Sequence, residues 1–234
     1  MKEFVVTPNN RGYLVGYVLP DTIKPVSLFG KDIYQATFDY TNSSETTHYQ
    51  IPIVFAGKEK LWIERYTNLG KYLILRGKLA SYNENYHLYV VFCVDKTICK
   101  KDRIYQPNII SLQAYTTSKK GFYVDKTFKN KTVLNWVCQT ADYDEQGQFV
   151  GMSHIPVVFF GNIAKEINSL DENFKYKISM KGLFVGRKFS KKSNHGRIEK
   201  TSYEFWALEV SNIEKQKQIS NDSLDFAEED ENNK

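Results

Sequence analysis

Two apolar runs of the same make punctuate the chain, YQIPIVFAG at 49–57 and HIPVVFFG at 154–161, each with a proline inside it and a glycine at its end. They lie 104 positions apart, Ile51 against Ile155 and Gly57 against Gly161, and their surroundings repeat with them. Upstream stand IYQATFDYTN (33–42) and TVLNWVCQTADY (132–143), rich in β-branched and aromatic residues and readable as strands. Downstream come the helix-compatible segments KEKLWIERYTNLGK (58–71) and NIAKEINSLDENFK (162–175). Each half then has a strand around a glycine, YLILRGKLASY (72–82) and YKISMKGLFVG (176–186), and a closing strand, NYHLYVVFCVD (85–95) and SYEFWALEVSNI (202–213).

The pattern is an internal duplication with a period of about a hundred residues. It predicts a boundary near Gln106-Pro107, with a first domain over 1–106, a second over 107–214 and a tail over 215–234. Within each half the order is three strands, a short helix and two strands. That order predicts an all-β protein of two tandem five-stranded Greek-key barrels, OB-folds, each with its helix between strands three and four. Pro52 and Pro156 suit a strand that is just beginning or lies at an edge, because proline has no N–H for the ladder.

Composition agrees with a packed chain: 41% hydrophobic and 15% aromatic residues exclude wholesale disorder. No apolar run reaches the roughly 18 residues of a membrane span, and Met1-Lys2-Glu3-Phe4 does not open a secretory signal, so a soluble, cytoplasmic protein is expected. Cys93, Cys99 and Cys138 are odd in number and lack paired spacing, which points to incidental thiols and to no metal or other cofactor. Charge is unevenly placed. Residues 222–234, DSLDFAEEDENNK, hold six acids against one lysine, so that with +5 for the whole chain the remaining body carries +10. A basic body with an acidic end suits a protein that binds polyanions.

The second half, through HIPVVFFGNIAKEI, KGLFVGRKF and YEFWALEVSNIE, resembles a bacterial or phage-type single-stranded DNA-binding protein. The resemblance is good over about 108–213, holds for the first half in outline, and extends to the acidic tail, which matches the family's disordered acidic end. It implies sequence-independent binding of single-stranded DNA, with RNA as a close variant, in replication, recombination or repair. Some members carry two such domains per chain and act as homodimers. The family's base-stacking positions fall here on Tyr143, His154, Phe160 and Phe189, of which His154 reads equally well as a strand-edge polar residue.

Physical chemistry asks for the same ingredients, since a single strand presents base faces to aromatic platforms and phosphates to cations. Cations are plentiful in the stretch RKFSKKSNHGRIEKTS (187–202), read as a long basic loop with Arg187, Lys188, Lys191, Lys192, Arg197 and Lys200, and with a turn at Asn194-His195-Gly196. Trp136, Trp206 and Phe159 are expected to fill the barrel. Phe160 follows Phe159 on one strand, so one of the two faces outward, and the sequence leaves open which.

The first half matches the stacking positions with Ser43, Gln50, Ala56 and Glu84, none aromatic. Tyr40, Tyr49, Phe55, Tyr82 and Tyr86 are its substitutes if the register differs, and the expectation is weaker binding there or a role in association between chains. Leu224-Asp225-Phe226 has the hydrophobic-acidic pairing through which the family recruits replication and repair proteins, but here eight residues follow it. No GxxxxGK[ST], HExxH or GxSxG motif occurs and His48, His87, His154 and His195 are scattered, so no enzyme is expected. The rival reading is an OB-fold interaction module without nucleic acid.

Overall fold

The computed structural model describes residues 6–26, 32–41, 47–84, 87–100, 108–124, 132–143, 146, 148–193 and 196–218. Over the first half these form β1 (Asn10–Val18), β2 (Lys24–Pro25), β3 (Ile33–Thr41), β4 (His48–Ala56), α1 (Gly57–Asn68), β5 (Tyr72–Glu84) and β6 (His87–Lys100). The second half has β7 (Ile109–Val124), β8 (Val133–Tyr143), β9 (Phe149–Phe160), α2 (Gly161–Asn168), β10 (Phe174–Ser193) and β11 (Gly196–Gln218). The stretch around Gln106-Pro107 and the segment from 219 onward, with Leu224, Asp225 and Phe226, lie outside the described residues.

Pairing closes each half into a barrel. β1 pairs with β3, β3 with β4, β4 in parallel with β6, β6 with β5, and β5 returns to β1. The second half repeats the circuit with β7, β8, β9, β11 and β10, again with one parallel step, between β9 and β11. This is the OB-fold circuit. Side chains alternate along each strand, so Ile51, Ile53 and Phe55 fill the first barrel and Ile155, Val157 and Phe159 the second, all at 0% exposure. Each helix plugs one end: Ile63 from α1, and Ala164 with Ile167 from α2, are fully buried. Pro52 and Pro156 sit inside β4 and β9 rather than at their starts. Each lies just before or at the edge of the short parallel ladder, which covers only Ile53–Phe55 in one barrel and Val157–Phe159 in the other, so one side of the strand is unpaired there.

Glycine is required where the fourth strand of each barrel crosses the fifth at a bulge. A Cβ on Gly77 would stand 2.2 Å from the Cys93 carbonyl oxygen, and one on Gly182 would stand 2.0 Å from that of Trp206. Gly77 and Gly182 therefore mark equivalent points, and the register of the two barrels can be compared residue by residue from them.

The barrels join through their first strands. Asn10–Tyr13 of β1 pairs antiparallel with Ile109–Leu112 of β7, which makes one continuous sheet. Side-chain contacts flank this seam on both sides. Tyr40 donates its hydroxyl to the Phe184 carbonyl at 2.5 Å on one side. On the other side Ser81 receives the His154 N–H at 2.6 Å, and its own N–H goes to Ser153 Oγ at 3.1 Å. Lys78 of the first barrel reaches Asp142 of the second at 2.8 Å, both largely buried, and Ser153 donates to the other Asp142 oxygen at 2.5 Å.

Candidate nucleic-acid interface

β10 and β11 form one long ribbon, and the stretch expected as a basic loop is its outer half. The ladder runs from Arg187↔Ser202 out to Ser193↔Gly196, so these residues are strand, not loop. Backbone pairing explains why: the ladder is unbroken from Gly186↔Tyr203 to Ser193↔Gly196, so the hydrogen-bonding groups of this stretch are used between the strands. The backbones of Lys191 and Lys192 belong to this ladder, whereas Asn194 and His195 lie outside the described residues. In the first barrel the corresponding hairpin stops sooner, at Glu84↔His87.

Alternation sorts the ribbon into two faces. Phe184 and Phe205 point into the barrel, and Lys188 continues on their side. Arg187 and Phe189 lie on the outer side with their cross-strand neighbours Ser202 and Lys200, in line with Glu204 and Trp206 further in. Lys188, Phe189, Arg197 and Lys200 are all exposed, and Arg187 passes 5.8 Å from the Phe189 ring centroid.

Trp206 is the residue that sequence reasoning missed. Expected in the core with Trp136 and Phe159, it is instead half-buried on the outer face, while those two are 2% and 0% exposed. Its ring meets Phe160 edge-on at 5.3 Å and Tyr49 of the first barrel at 6.4 Å. Phe159 is thus the inward member of its pair and Phe160 the outward one. The signal was available in YEFWAL: Phe205 must point inward for the core, and Trp206, next along the strand, must then point out.

Tyr143 lies at the far end of β8 and is exposed, with Phe149 beside it at 6.4 Å and edge-on. Phe149 and Val150 are each 60% exposed, an apolar tip that no packing within the barrel requires. His154 does not join these aromatics. Its ring nitrogen Nε2 lies 2.8 Å from the Gln139 side-chain nitrogen and its backbone N–H goes to Ser81 at the barrel junction.

In the first barrel, Tyr40 and Phe55 are removed as platforms because they are 1% and 0% exposed. Burial pushes the Tyr40 phenol well above its ordinary range, and the hydroxyl is used at the junction. Tyr49 remains, through Trp206, as does Tyr82, which stacks on Tyr89 at 5.2 Å and 13°. That pair borders a groove of about 500 Å³ with Lys24, Gln35, Pro52 and Tyr203. Tyr86 is outside the described residues. Equivalent positions show why the barrels differ: Phe160, Arg187, Glu204 and Trp206 correspond to Ala56, Tyr82, Val91 and Cys93. Cys93 and Cys138 are fully buried, and burial pushes both thiols up to about 12.

Solved structures of the single-stranded DNA-binding protein from Thermus aquaticus superpose on this chain. The wild-type structure gives a TM-score of 0.59 at 12% identity, over 92% of this chain and 97% of that one. A deletion variant of the same protein gives 0.60 at 12% identity, over 91% and 97%. The chain has the single-stranded DNA-binding protein fold. The likeness runs across both barrels, although in sequence only the second resembles the family closely. No protein-family model matches the chain, and no curated protein matches it.

The exposed tip makes a first prediction. Replacing Tyr143 and Phe149 together with alanine should weaken binding to oligo(dT) by about 1 kcal/mol, roughly fivefold, without lowering the melting temperature. Fluorescence anisotropy of a labelled oligonucleotide would read it, and unchanged affinity would remove this tip from the interface.

Proposed function

We propose that the protein binds single-stranded nucleic acid, DNA foremost, without sequence preference and without chemistry. The observation that carries this reading is the outward aromatic pair Trp206 and Phe160 at the meeting of the two barrels, with the partly buried Tyr49 of the first barrel against Trp206, continued by Arg187, Phe189 and Lys200 on the ribbon. Flat rings beside cations accept any base through its π-face and any nucleotide through its phosphate. The likeness to the Thermus aquaticus protein supports the same reading.

In this reading the second barrel supplies the stronger platforms, with Tyr143, Phe160, Trp206 and Phe189 for bases and Arg187, Lys188, Lys191, Lys192, Arg197 and Lys200 for phosphates. The first barrel contributes Tyr49 and the Tyr82–Tyr89 pair. Shielding of exposed strands during replication, recombination or repair inside a cell is the role such binding serves. A homodimer and partner recruitment through Leu224-Asp225-Phe226 belong to the same proposal.

Tryptophan fluorescence tests it. In a Trp62→Phe chain, which removes the exposed helix indole, titration with oligo(dT) should quench saturably through Trp206, and no quenching would count against the reading. Changing Tyr82 and Tyr89 together to alanine should cost only about threefold in affinity, given the partial stacking left in that barrel. A loss of roughly thirtyfold or more would assign the barrels equal parts.

One observation favours the interaction-module reading. α1 exposes Leu61 (73%) and Trp62 (51%) where α2 carries Lys165 and Glu166, so the barrel itself does not need an apolar helix surface. Under that reading oligo(dT) leaves the fluorescence unchanged.

A further inference from the structure

Glu204 is a carboxylate where the fold accepts a valine. It faces outward on β11, cross-strand from the buried Val185, and its side chain is only 6% exposed. The first barrel has the same register, Ala80↔Val91 answering Val185↔Glu204, and there Val91 packs in an apolar cluster with Val54, Ala80 and Cys93. A buried carboxylate must be repaid for lost hydration by its partners, and an apolar side chain at this position needs no such compensation.

Both partners of Glu204 belong to the interface. Arg187 Nε donates to Oε1 at 2.9 Å, and Trp206 Nε1 donates to the same oxygen at 2.9 Å. The second guanidinium contact, to Oε2, is longer at 3.5 Å. In the first barrel all three positions change together, to Tyr82, Val91 and Cys93. The network is therefore a feature of the second barrel's face rather than of the fold.

A guanidinium presents the same fork of N–H donors to a carboxylate and to a phosphate. Arg187 is half exposed and its outer nitrogen holds Glu204 only loosely, so a phosphate arriving at the ribbon meets an arginine that is oriented but not saturated. We propose that Glu204 is a positioning residue that stands in for a backbone phosphate. In the free protein it holds Arg187 over the interface and fixes the plane of the Trp206 indole. When the strand binds, Arg187 passes from carboxylate to phosphate while Trp206 keeps its acceptor. The exchange replaces one anion with another, so Arg187 supplies orientation with little net affinity, and the strand leaves easily. This inference rests on the single-strand reading.

Glu204→Gln separates the two parts, because its amide oxygen still accepts from Trp206 while the competing charge is gone. With oligo(dT), the plot of log affinity against log salt should steepen by about 0.7, because the phosphate that Arg187 meets is then neutralised by a charge no carboxylate cancels. Affinity at 0.1 M salt should rise roughly three- to tenfold. Arg187→Met added to the Glu204→Gln chain should abolish the whole gain, since the freed guanidinium is its source. Glu204→Val, copying Val91, should also steepen the slope and serves if the glutamine variant folds poorly. An unchanged slope with unchanged or weaker affinity in a folded variant overturns the role of Glu204. Failure of the unaltered chain to bind oligo(dT) counts instead against the single-strand reading itself.

Discussion

Lys78→Met is expected to destabilise the protein by roughly 3 kcal/mol, because it strands the Asp142 carboxylate at the barrel junction. The Lys78 side chain is 9% exposed and that of Asp142 18%, so little water can replace the lost ammonium. Ser153 still donates to Asp142, which relieves part of the penalty and keeps the loss at the lower end for a buried pair. For a chain of this length the loss corresponds to roughly 6–12 °C in melting temperature, read by circular dichroism. Adding Asp142→Leu should restore most of it, since removing both charges leaves no unpaired ion. A fall of less than about 2 °C in the single variant would show that water reaches the pair and that strand pairing and the other junction hydrogen bonds hold the barrels without it.

Trp206→Ala should weaken oligo(dT) binding by roughly 2 kcal/mol, about thirtyfold, the largest effect expected of any single interface residue. The indole touches Phe160 and Tyr49, so its removal also frees those rings to turn away from the strand. It is half-buried and outside the core cluster, so the melting temperature should change much less than for Trp136→Ala, which opens a cavity in the second barrel. Trp206→Phe should recover most of the affinity, because a flat ring is what the position supplies. Equal affinity for Trp206→Ala and the unaltered chain would move the strand's path off the barrel junction.

Much of the fold was legible because its signals are local. Alternating apolar residues, the two glycine-closed runs and one helix per half lead to the OB-fold without any long-range information; the run read at 49–57 matches β4 closely, and the run at 154–161 covers the second half of β9, which begins at Phe149. The first strand of each barrel carried no such landmark, and its double use is a tertiary fact: β1 pairs with β3, β5 and β7 along different stretches. The basic stretch looked like a loop because charge and serine suggest solvent, whereas cross-strand pairing governs it and only its backbone pattern reveals that.

The candidate interface was harder to read because burial is decided by neighbours distant in sequence. Tyr40 is aromatic at a plausible position, yet the Phe184 carbonyl 144 residues away captures its hydroxyl. Tyr49 gains its place only because the second barrel sets Trp206 against it. Phe160 and Trp206 could be assigned outward once the inward partners Phe159 and Phe205 were known, which is a matter of phase along a strand rather than of residue type.

The most direct test of the account compares binding of the full chain to oligo(dT) and to duplex DNA of equal length, at low and moderate salt, by fluorescence titration. Single strand should bind saturably and more weakly as salt rises, and duplex, whose bases are stacked away from the rings, should bind far more weakly. Equal binding of both forms would reduce the interface to its cations, and binding of neither would contradict the account.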